Sequence, residues 1–510
     1  MTDRQLGILC LIILLPLCAT GAKAAEETDS TQRDWLRETE VTIEASATAA
    51  TGDYAPLWLT ANRYGLSSVK PYSAYLRASL ERDIAHDASR DWRLGYGLDL
   101  AIAAGHERVG IVQQAYVQGQ WKKIGLTIGA KQQPMETRNA ELTSGELCFG
   151  INARPLPQVR LDIDWFPFPW TKGWWQWKLY GSYGWLTDGR WQQSWVAEGA
   201  RYSRHTLYHE KALYWQFGRA DIFPLTFEIG LQMATQFGGD CYNIQTERAN
   251  DGLMTDYHYN NGLKAYWNAL TLQGSDYTDG ANPNAAGNTL GSYIMQLRYH
   301  GQRWQARVYW ERFFEDHSML TLQYGIRDML IGGEVTMPKN PYLSSAVFEY
   351  MTSTDQSGPI FHDPTTNMPE KIAGRDNYYY HNLYAGWQHY GQVIGNPLIT
   401  SSLYNEAFGR PNTVDIRNNR IKAWHIGLAG DPSPEWHWRA LLSFTRNWGS
   451  YTYPLADILR QDYFLAEATY RPRWATGWHA SLGLGLDHGR LIGNSFGAQL
   501  TIRKSLTLKK

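Results

Sequence analysis

The chain has 510 residues, with 48 Lys and Arg against 49 Asp and Glu, a formal net charge of -1, 14% aromatic residues and 19% charged ones. So even a balance leaves no basic footprint for nucleic acid. A mean hydropathy of -0.45, with no apolar run of helix-spanning length after residue 25, excludes a bundle of transmembrane helices.

Many aromatic residues without long apolar runs is what alternation produces, because every second position stays polar. The N-terminus carries its own signal. Arg4 precedes the apolar run Leu6 to Leu17, and Ala22-Lys23-Ala24 supplies a small-x-small cleavage site. Residues 1–24 therefore read as a secretory signal peptide. Leu17 directly before Cys18 is too large for a lipid-attachment site. Residues 25–40 form a polar leader, and 41–510 read as one domain. Cys148 and Cys241 remain after the signal; export permits a disulfide between them, but their spacing carries no signature.

From Val41 onward the residues alternate. Trp58 to Gly65 is a compact aromatic and polar knot, and Tyr72–Arg82 and Trp92–Ala103 read as strands. In the second, Trp92, Leu94, Tyr96, Leu98, Leu100 and Ile102 share one face. Ala115–Trp121 and Ile124–Ala130 form a hairpin joined at Lys122-Lys123. In the next strand Val159, Leu161, Ile163 and Trp165 point one way, and Arg160, Asp162 and Asp164 the other. After F-P-F-P-W-T-K-G comes Trp175 to Trp185, apolar at odd positions and closed by Trp at both ends. Its length suits a tilted strand crossing roughly 25 Å of apolar membrane. Trp165, Trp175, Trp177 and Trp185 are accordingly expected at the two headgroup levels, where indole rings concentrate.

Leu213–Gly218 and Leu225–Gln236 continue the series. Residues 238–291 break the rhythm with Asn, Asp, Gly and Tyr around a helix-like island at Leu263–Leu270, and such a long insertion is usually functional. Strands resume at Tyr293–Tyr299 and Trp304–Phe313. Phe348–Met351 and Tyr378–Tyr390 then bracket a second loop, 352–376. Trp424–Leu428, Trp436–Phe444, Phe464–Tyr470, Trp478–Leu486 and Phe496–Ile502 follow, roughly sixteen to eighteen candidate strands in all. The fold expected is all-β: a large closed antiparallel transmembrane β-barrel with long loops and a few short helices. Closure leaves no unpaired backbone facing lipid.

Several separated blocks resemble the Wzi-type capsule assembly family, in the form found in Bacteroides-like bacteria. They are Ala55-Pro56-Leu57-Trp58-Leu59 with Asn62-Arg63-Tyr64-Gly65; Thr143-Ser144-Gly145-Glu146-Leu147 with Asn152-Ala153-Arg154-Pro155-Leu156-Pro157; Gly386-Trp387 with Gly395-Asn396-Pro397-Leu398; and Asn419-Arg420-Ile421 with His425-Ile426-Gly427-Leu428. The resemblance implies an outer-membrane barrel of about 18 strands that binds capsular polysaccharide and helps hold the capsule at the cell surface. Its partners would be capsular or exopolysaccharide, outer-membrane lipid and the polysaccharide export machinery. It implies no cofactor, no catalytic residue and no metal. Asn396-Pro397 reads independently as a turn. Arg63 and Arg420 either line the lumen and pair with Asp162 or Asp164 or contact anionic sugars; internal pairing is expected, because buried charges need partners.

Glycan sites combine aromatic rings with planar polar groups. Tyr257, Tyr259, Tyr266, Trp267 and Tyr277 in the long loop, with Tyr378, Tyr379 and Tyr380, are the candidate contacts; their bland alternative is packing of a loop plug. Two other functions compete. A porin or substrate channel would need a wide lumen, whereas Tyr180, Tyr309 and Tyr379 with Arg307 and Glu311 suggest a crowded one. A surface enzyme would need assembled chemistry. His86-Asp87 and Asp487-His488 are sequence neighbours that a strand sends to opposite faces. Asp240, Asp256 and His258 come without a nucleophile elbow or zinc motif and read as solvated turn residues. Asp162 and Asp164 stand roughly 6.6–6.8 Å apart by strand rise, a spacing that alternation alone produces.

Overall fold

Alternation becomes a closed wall. The computed structural model describes residues 38–508 except 89, 245, 249–251, 273–286, 316–326, 361, 363–365 and 370–373; the signal peptide expected at 1–24 and most of the leader lie outside the described residues. The wall begins with β1 (Glu40–Ala50), β2 (Tyr72–Arg82), β3 (Trp92–Ala104), β4 (Gly110–Trp121), β5 (Ile124–Ala130) and β6 (Pro157–Pro167). It continues through β7 (Trp175–Trp185), β8 (Leu207–Phe217), β9 (Leu225–Phe237), β10 (Asn288–His300), β11 (Gln305–Glu315) and β12 (Met329–Thr336). It ends with β13 (Ser345–Thr352), β14 (Ile421–Gly430), β15 (Trp436–Gly449), β16 (Pro454–Tyr470), β17 (Trp478–Gly489) and β18 (Ser495–Thr507). Each pairs antiparallel with the next in a single 18-stranded sheet, and β1 closes on β18 from Glu40↔Thr507 to Ala50↔Gly497.

Two expectations about strands are corrected. Tyr378–Tyr390 is not a strand of the wall: only Gln388–His389 is extended, pairing with Gln392–Val393, and the segment belongs to the inward part of loop 353–420, so the second loop runs well beyond 376. Met329–Thr336 is a strand that pattern reading passed over, because Gly332-Gly333 interrupts its apolar face. Gly332 has a steric reason: the Tyr309 ring stands 2.5 Å from where its Cβ would be.

The outer face is apolar. Leu98, Leu100, Ile102, Val159, Leu161, Leu482, Leu484 and Leu486 are all exposed on it, which in water would be a large liability and in lipid is the requirement. Aromatic pairs mark its two edges, Trp92 on Trp121 (6.0 Å) and Trp436 on Tyr470 (4.7 Å) at one, Tyr350 on Trp424 (4.4 Å) at the other. Trp175 stacks between Phe168 and Phe217, and Trp185 is exposed at the opposite end of the same strand. Trp177 lies against Phe166. Trp165 departs from expectation. A register shift between Ile163 and Phe166 turns its side chain toward the luminal cluster of Tyr180, Tyr214 and Ile294. The bulge moves one residue across the sheet, and every alternation argument fails beyond it.

The two ends differ. Turns such as 122–123, 301–304 and 431–435 close one end, and loops 51–71, 131–156, 186–206 and the described parts of 238–287 and 353–420 crowd the other. Loops 51–71 and 131–156 and the described part of 353–420 descend into the lumen and fill it. Their helix α1 (Leu57–Thr60) is wholly buried, and a second short helix, α2 (Gly189–Trp195), lies in loop 186–206. Trp58, Trp387, Tyr378 and Tyr379 are among the largest fully buried side chains of the molecule.

Candidate functional site

The plug is bonded to the wall and to itself. Leu57 N–H donates to Asp487 Oδ2 at 2.9 Å and Trp58 Nε1 to Ser443 Oγ at 3.2 Å. Arg138 donates to Glu311 at 2.9 Å, and the Leu147 N–H reaches the same carboxylate at 3.0 Å. Glu349 accepts from Thr143 Oγ1 (2.5 Å), Ser144 N–H (2.8 Å) and the Tyr309 hydroxyl (2.7 Å). Between loops, Asn62 donates to Ser144 O, Asn152 to Val393 O, Asn396 to Gly145 O and Trp387 Nε1 to Cys148 O. The separated sequence blocks thus converge on one seam. Asn396 behaves as a turn residue, capping Leu398 N–H at 3.0 Å.

Arg63 pairs with Glu467 at 2.7 Å, not with Asp162 or Asp164. Arg420 lies 4.0 Å over the Tyr451 ring and donates to Thr354 O. Asp162 is taken by Arg160 at 2.8 Å, which also holds Glu210 at 2.6 Å. Arg63, Arg160 and Asp162 do find charged partners, but sequence distance gave no means of choosing them. Cys148 and Cys241 are both buried, in different clusters, and are not bonded to each other.

Within the plug, burial pushes the Glu146 carboxyl up to about 7, with the neighbouring Glu311 adding to the effect. The fold therefore prefers the protonated form. Its contribution is fully present below the unfolded value of about 4.3 and is lost as pH rises through about 7. Glu146→Gln should be less sensitive than wild type across that window. The check is the pH dependence of the temperature at which the barrel loses its compact electrophoretic mobility; parallel curves would contradict the assignment.

At the long-loop end, three short strands form a small sheet, with Asp240–Tyr242 between Tyr202–Arg204 and Tyr257–His258. Its alternation separates two faces. Cys241 and Ser203 are buried beneath it, and Cys241 packs with Ile244, Leu383, Tyr384, Tyr257 and Tyr259. The opposite face carries Tyr202, Arg204, Asp240, Tyr242 and His258. Tyr202 and Tyr242 stack at 4.9 Å and 20°, and His258 meets Tyr242 edge-on at 5.9 Å. Asp240 bridges two exposed imidazoles, 3.0 Å from His205 Nδ1 and 2.7 Å from His258 Nδ1. Burial opposes its ionisation, but these two hydrogen bonds outweigh it and hold Asp240 below the ordinary carboxylate range.

Beside the sheet, Arg201 donates to the carbonyls of His381 and Asn382, pairs with Asp415 at 2.7 Å and lies 5.2 Å from the Tyr380 ring centre. Burial, reinforced by Arg201, pushes His381 down to about 3, so its neutral Nδ1 accepts from Leu383 and Tyr384 N–H. The result is a fixed platform of aromatic faces and charged hydrogen-bonding groups. A sugar ring can stack on the first and hydrogen-bond to the second. Among the described residues, no group of three or more His, Cys, Asp and Glu side chains is arranged to hold a metal ion.

The residues singled out from sequence scatter. Tyr257 and Tyr259 lie on the underside of the small sheet, with Tyr259 stacked on Tyr384 at 5.0 Å. Tyr378 and Tyr379 are buried in the plug, where Tyr379 donates to Leu147 O and Tyr378 to Asp328; as surface contacts they are excluded by burial. Tyr380 is half-buried beside Arg201. Tyr266 and Trp267 sit on a helix away from the sheet, and Tyr277 lies outside the described residues. Sequence reading missed Tyr202, Arg204 and Tyr242, and took Asp240 and His258 for turn residues. The available signal was Tyr202-Ser203-Arg204 and Asp240-Cys241-Tyr242, each polar or aromatic about a small central residue.

Closed wall, apolar belt, aromatic edges and filled lumen define an outer-membrane β-barrel sealed by its own loops. The chain belongs to the family described as capsule assembly protein Wzi, whose model matches residues 59–400. In fold it is similar to Wzi of Escherichia coli, described as an outer-membrane protein involved in group 1 capsule assembly and a carbohydrate-binding β-barrel. That likeness has a TM-score of 0.55 at 13% identity, covering 93% of this chain and 85% of the other. Weaker likenesses join it to OprD of Pseudomonas aeruginosa (TM-score 0.43, 8% identity, 93% and 96% covered) and OccAB2 of Acinetobacter baumannii (0.46, 8%, 92% and 98%). No curated protein sequence matches the chain.

Proposed function

We propose that this barrel binds capsular or extracellular polysaccharide at its outer face and helps assemble or attach the capsule at the cell surface, without enzymatic activity. The observation that carries this reading is the outward platform of Tyr202, Tyr242, Asp240 and His258 above a filled lumen. Family membership and the description of the Escherichia coli protein as carbohydrate-binding support it. A substrate channel fits less well, because the wall-bonded plug occupies the space a solute would cross. Components of the polysaccharide export machinery are further partners on this reading.

Two measurements test it. In the host, deleting the gene should leave polysaccharide synthesis intact and shift polysaccharide from cells to medium; an unchanged partition would sink the proposal. In vitro, Tyr202→Ala and Tyr242→Ala should each weaken binding of the purified host polysaccharide by roughly 5- to 30-fold, about 1–2 kcal/mol for an aromatic anchor. Trp474→Ala, exposed in the turn between β16 and β17 at the other end, should leave binding unchanged. Equal affinities for all three would remove the platform from the site.

A further inference from the structure

The helix α3 (Leu263–Thr271) belongs to loop 238–287, yet it does not lie over the barrel mouth. Its neighbours are the outward faces of β7, β8 and β9. The Tyr183 hydroxyl donates to Tyr266 O at 2.9 Å, and the Tyr266 ring meets Tyr183 and Phe237 at 5.2 Å each. Lys211 donates to the carbonyls of Ala269 and Leu270. Tyr183, Lys211 and Phe237 share strand faces with Trp185, Trp215 and Phe227, the exposed apolar residues of the wall. The inward faces of the same strands carry Tyr180, Ala212 and Tyr214. Helix α3 is therefore outside the cylinder.

Its height follows from the strands beneath it. Phe237 ends β9 at the long-loop rim, and Lys211 lies four positions below Leu207, the rim residue of β8. At about 3.3 Å per residue the helix covers about 13 Å of strand. That is the level of Trp185, hence of the outer aromatic girdle.

The helix has two faces. Asn268 and Ala269 are buried against the wall, whereas Leu263, Trp267 and Leu270 are 89%, 57% and 41% exposed. At about 100° per residue these three fall within an arc of about 60°. Three large apolar side chains on one exposed stripe would be costly in water. The stripe continues the lipid-facing surface of the wall and carries a Trp at headgroup depth, where indole rings favour the boundary.

We infer that α3 is an interfacial anchor: it rests on the outer wall of the barrel at the long-loop rim and buries Leu263, Trp267 and Leu270 in the outer leaflet of the membrane. Trp267 thereby passes from candidate sugar contact to lipid contact. The occupant of this surface is lipid, and the small sheet, not the helix, is left to face polysaccharide. The anchor also fixes where the platform stands, because α3 follows directly from the sheet strand Tyr257–His258 through residues 259–262.

The test uses the full chain reconstituted in phosphatidylethanolamine–phosphatidylglycerol vesicles. Leu263→Cys, Trp267→Cys and Leu270→Cys each receive a bimane label, with Glu198→Cys in an exposed loop as the aqueous control. Cys148 and Cys241 are 0% exposed and stay unlabelled in the folded protein. Lipids carrying a nitroxide high on the acyl chain should quench the three helix labels, and aqueous iodide should quench them at least fivefold less than the label at 198. No lipid quenching, or iodide quenching equal to the control, overturns the anchor. Shielding from both quenchers overturns it too, since it would mean that something other than lipid covers the stripe. The three positions are independent, and retained heat-modifiable mobility certifies each labelled barrel. Polysaccharide affinity of Trp267→Cys should match wild type, which separates failure of the anchor from failure of the glycan reading.

Discussion

Glu311→Ala is expected to loosen the plug and convert a closed barrel into a conducting one. The side chains of Glu311 and Arg138 are both 0% exposed, and among the described residues their 2.9 Å contact is the only hydrogen bond of the guanidinium, with Arg138 Nε and Nη1 buried and unbonded. Removing the carboxylate leaves the buried Arg138 charge against the Tyr309 ring, 4.0 Å away, without its bonded carboxylate, and orphans the Leu147 N–H. Breaking one side of a buried pair costs about 3–5 kcal/mol. Loop 131–156 escapes that cost only by leaving the lumen and hydrating Arg138. Single-channel recording in planar bilayers is the direct check, with stable openings expected for the variant and none for wild type. Glu311→Gln keeps an acceptor without the charge and should fall between the two. An alanine variant as closed and as heat-stable as wild type would show that the other seams hold the plug by themselves.

Trp387→Ala should act on the same plug from the opposite loop. The indole is fully buried, lies 5.9 Å from the Tyr208 ring and donates to Cys148 O at 2.6 Å. Deleting a buried Trp costs about 3–5 kcal/mol, with the cavity setting the position in that range. Cys148 supplies an internal reporter. Its thiol donates to Leu290 O at 3.4 Å, and burial raises its pKa, so it is inert in the closed state. Opening of the plug on the scale of that loss should raise maleimide labelling of Cys148 more than about tenfold in the folded barrel. Peptide mapping distinguishes it from Cys241. A fold-intact variant with unchanged labelling would place the indole's contribution elsewhere than in closing the plug.

The barrel was legible in the chain because its solvent imposes a local rule. Lipid outside and polar groups inside force a period of two, and β3, β7 and β9 state that period residue by residue. Trp175, Trp177 and Trp185, expected at the headgroup levels, stand on the same outward strand face by that rule. Its failures are local as well. Trp165 is displaced by a bulge that leaves no mark in the sequence, and β12 loses its apolar stripe to Gly332 and Gly333.

The platform was legible only in part. Tyr257 and Tyr259 were within reach because composition points to the right loop, but composition carries no face. Tyr202 and Tyr242 meet because strands from two different loops, 186–206 and 238–287, pair in one register. Nothing in either segment specifies that register.

By itself, then, the sequence determined the wall, its closure and its membrane, since alternation and aromatic placement are written position by position. Only the tertiary structure decided what fills the wall and what lies outside it: that Arg63 takes Glu467, that Tyr378 and Tyr379 are plug, that Tyr202 stacks on Tyr242 while Trp267 stands on a separate helix. These depend on long-range pairings between loops. Such loops have no repeating environment, and so no periodicity for a sequence to display.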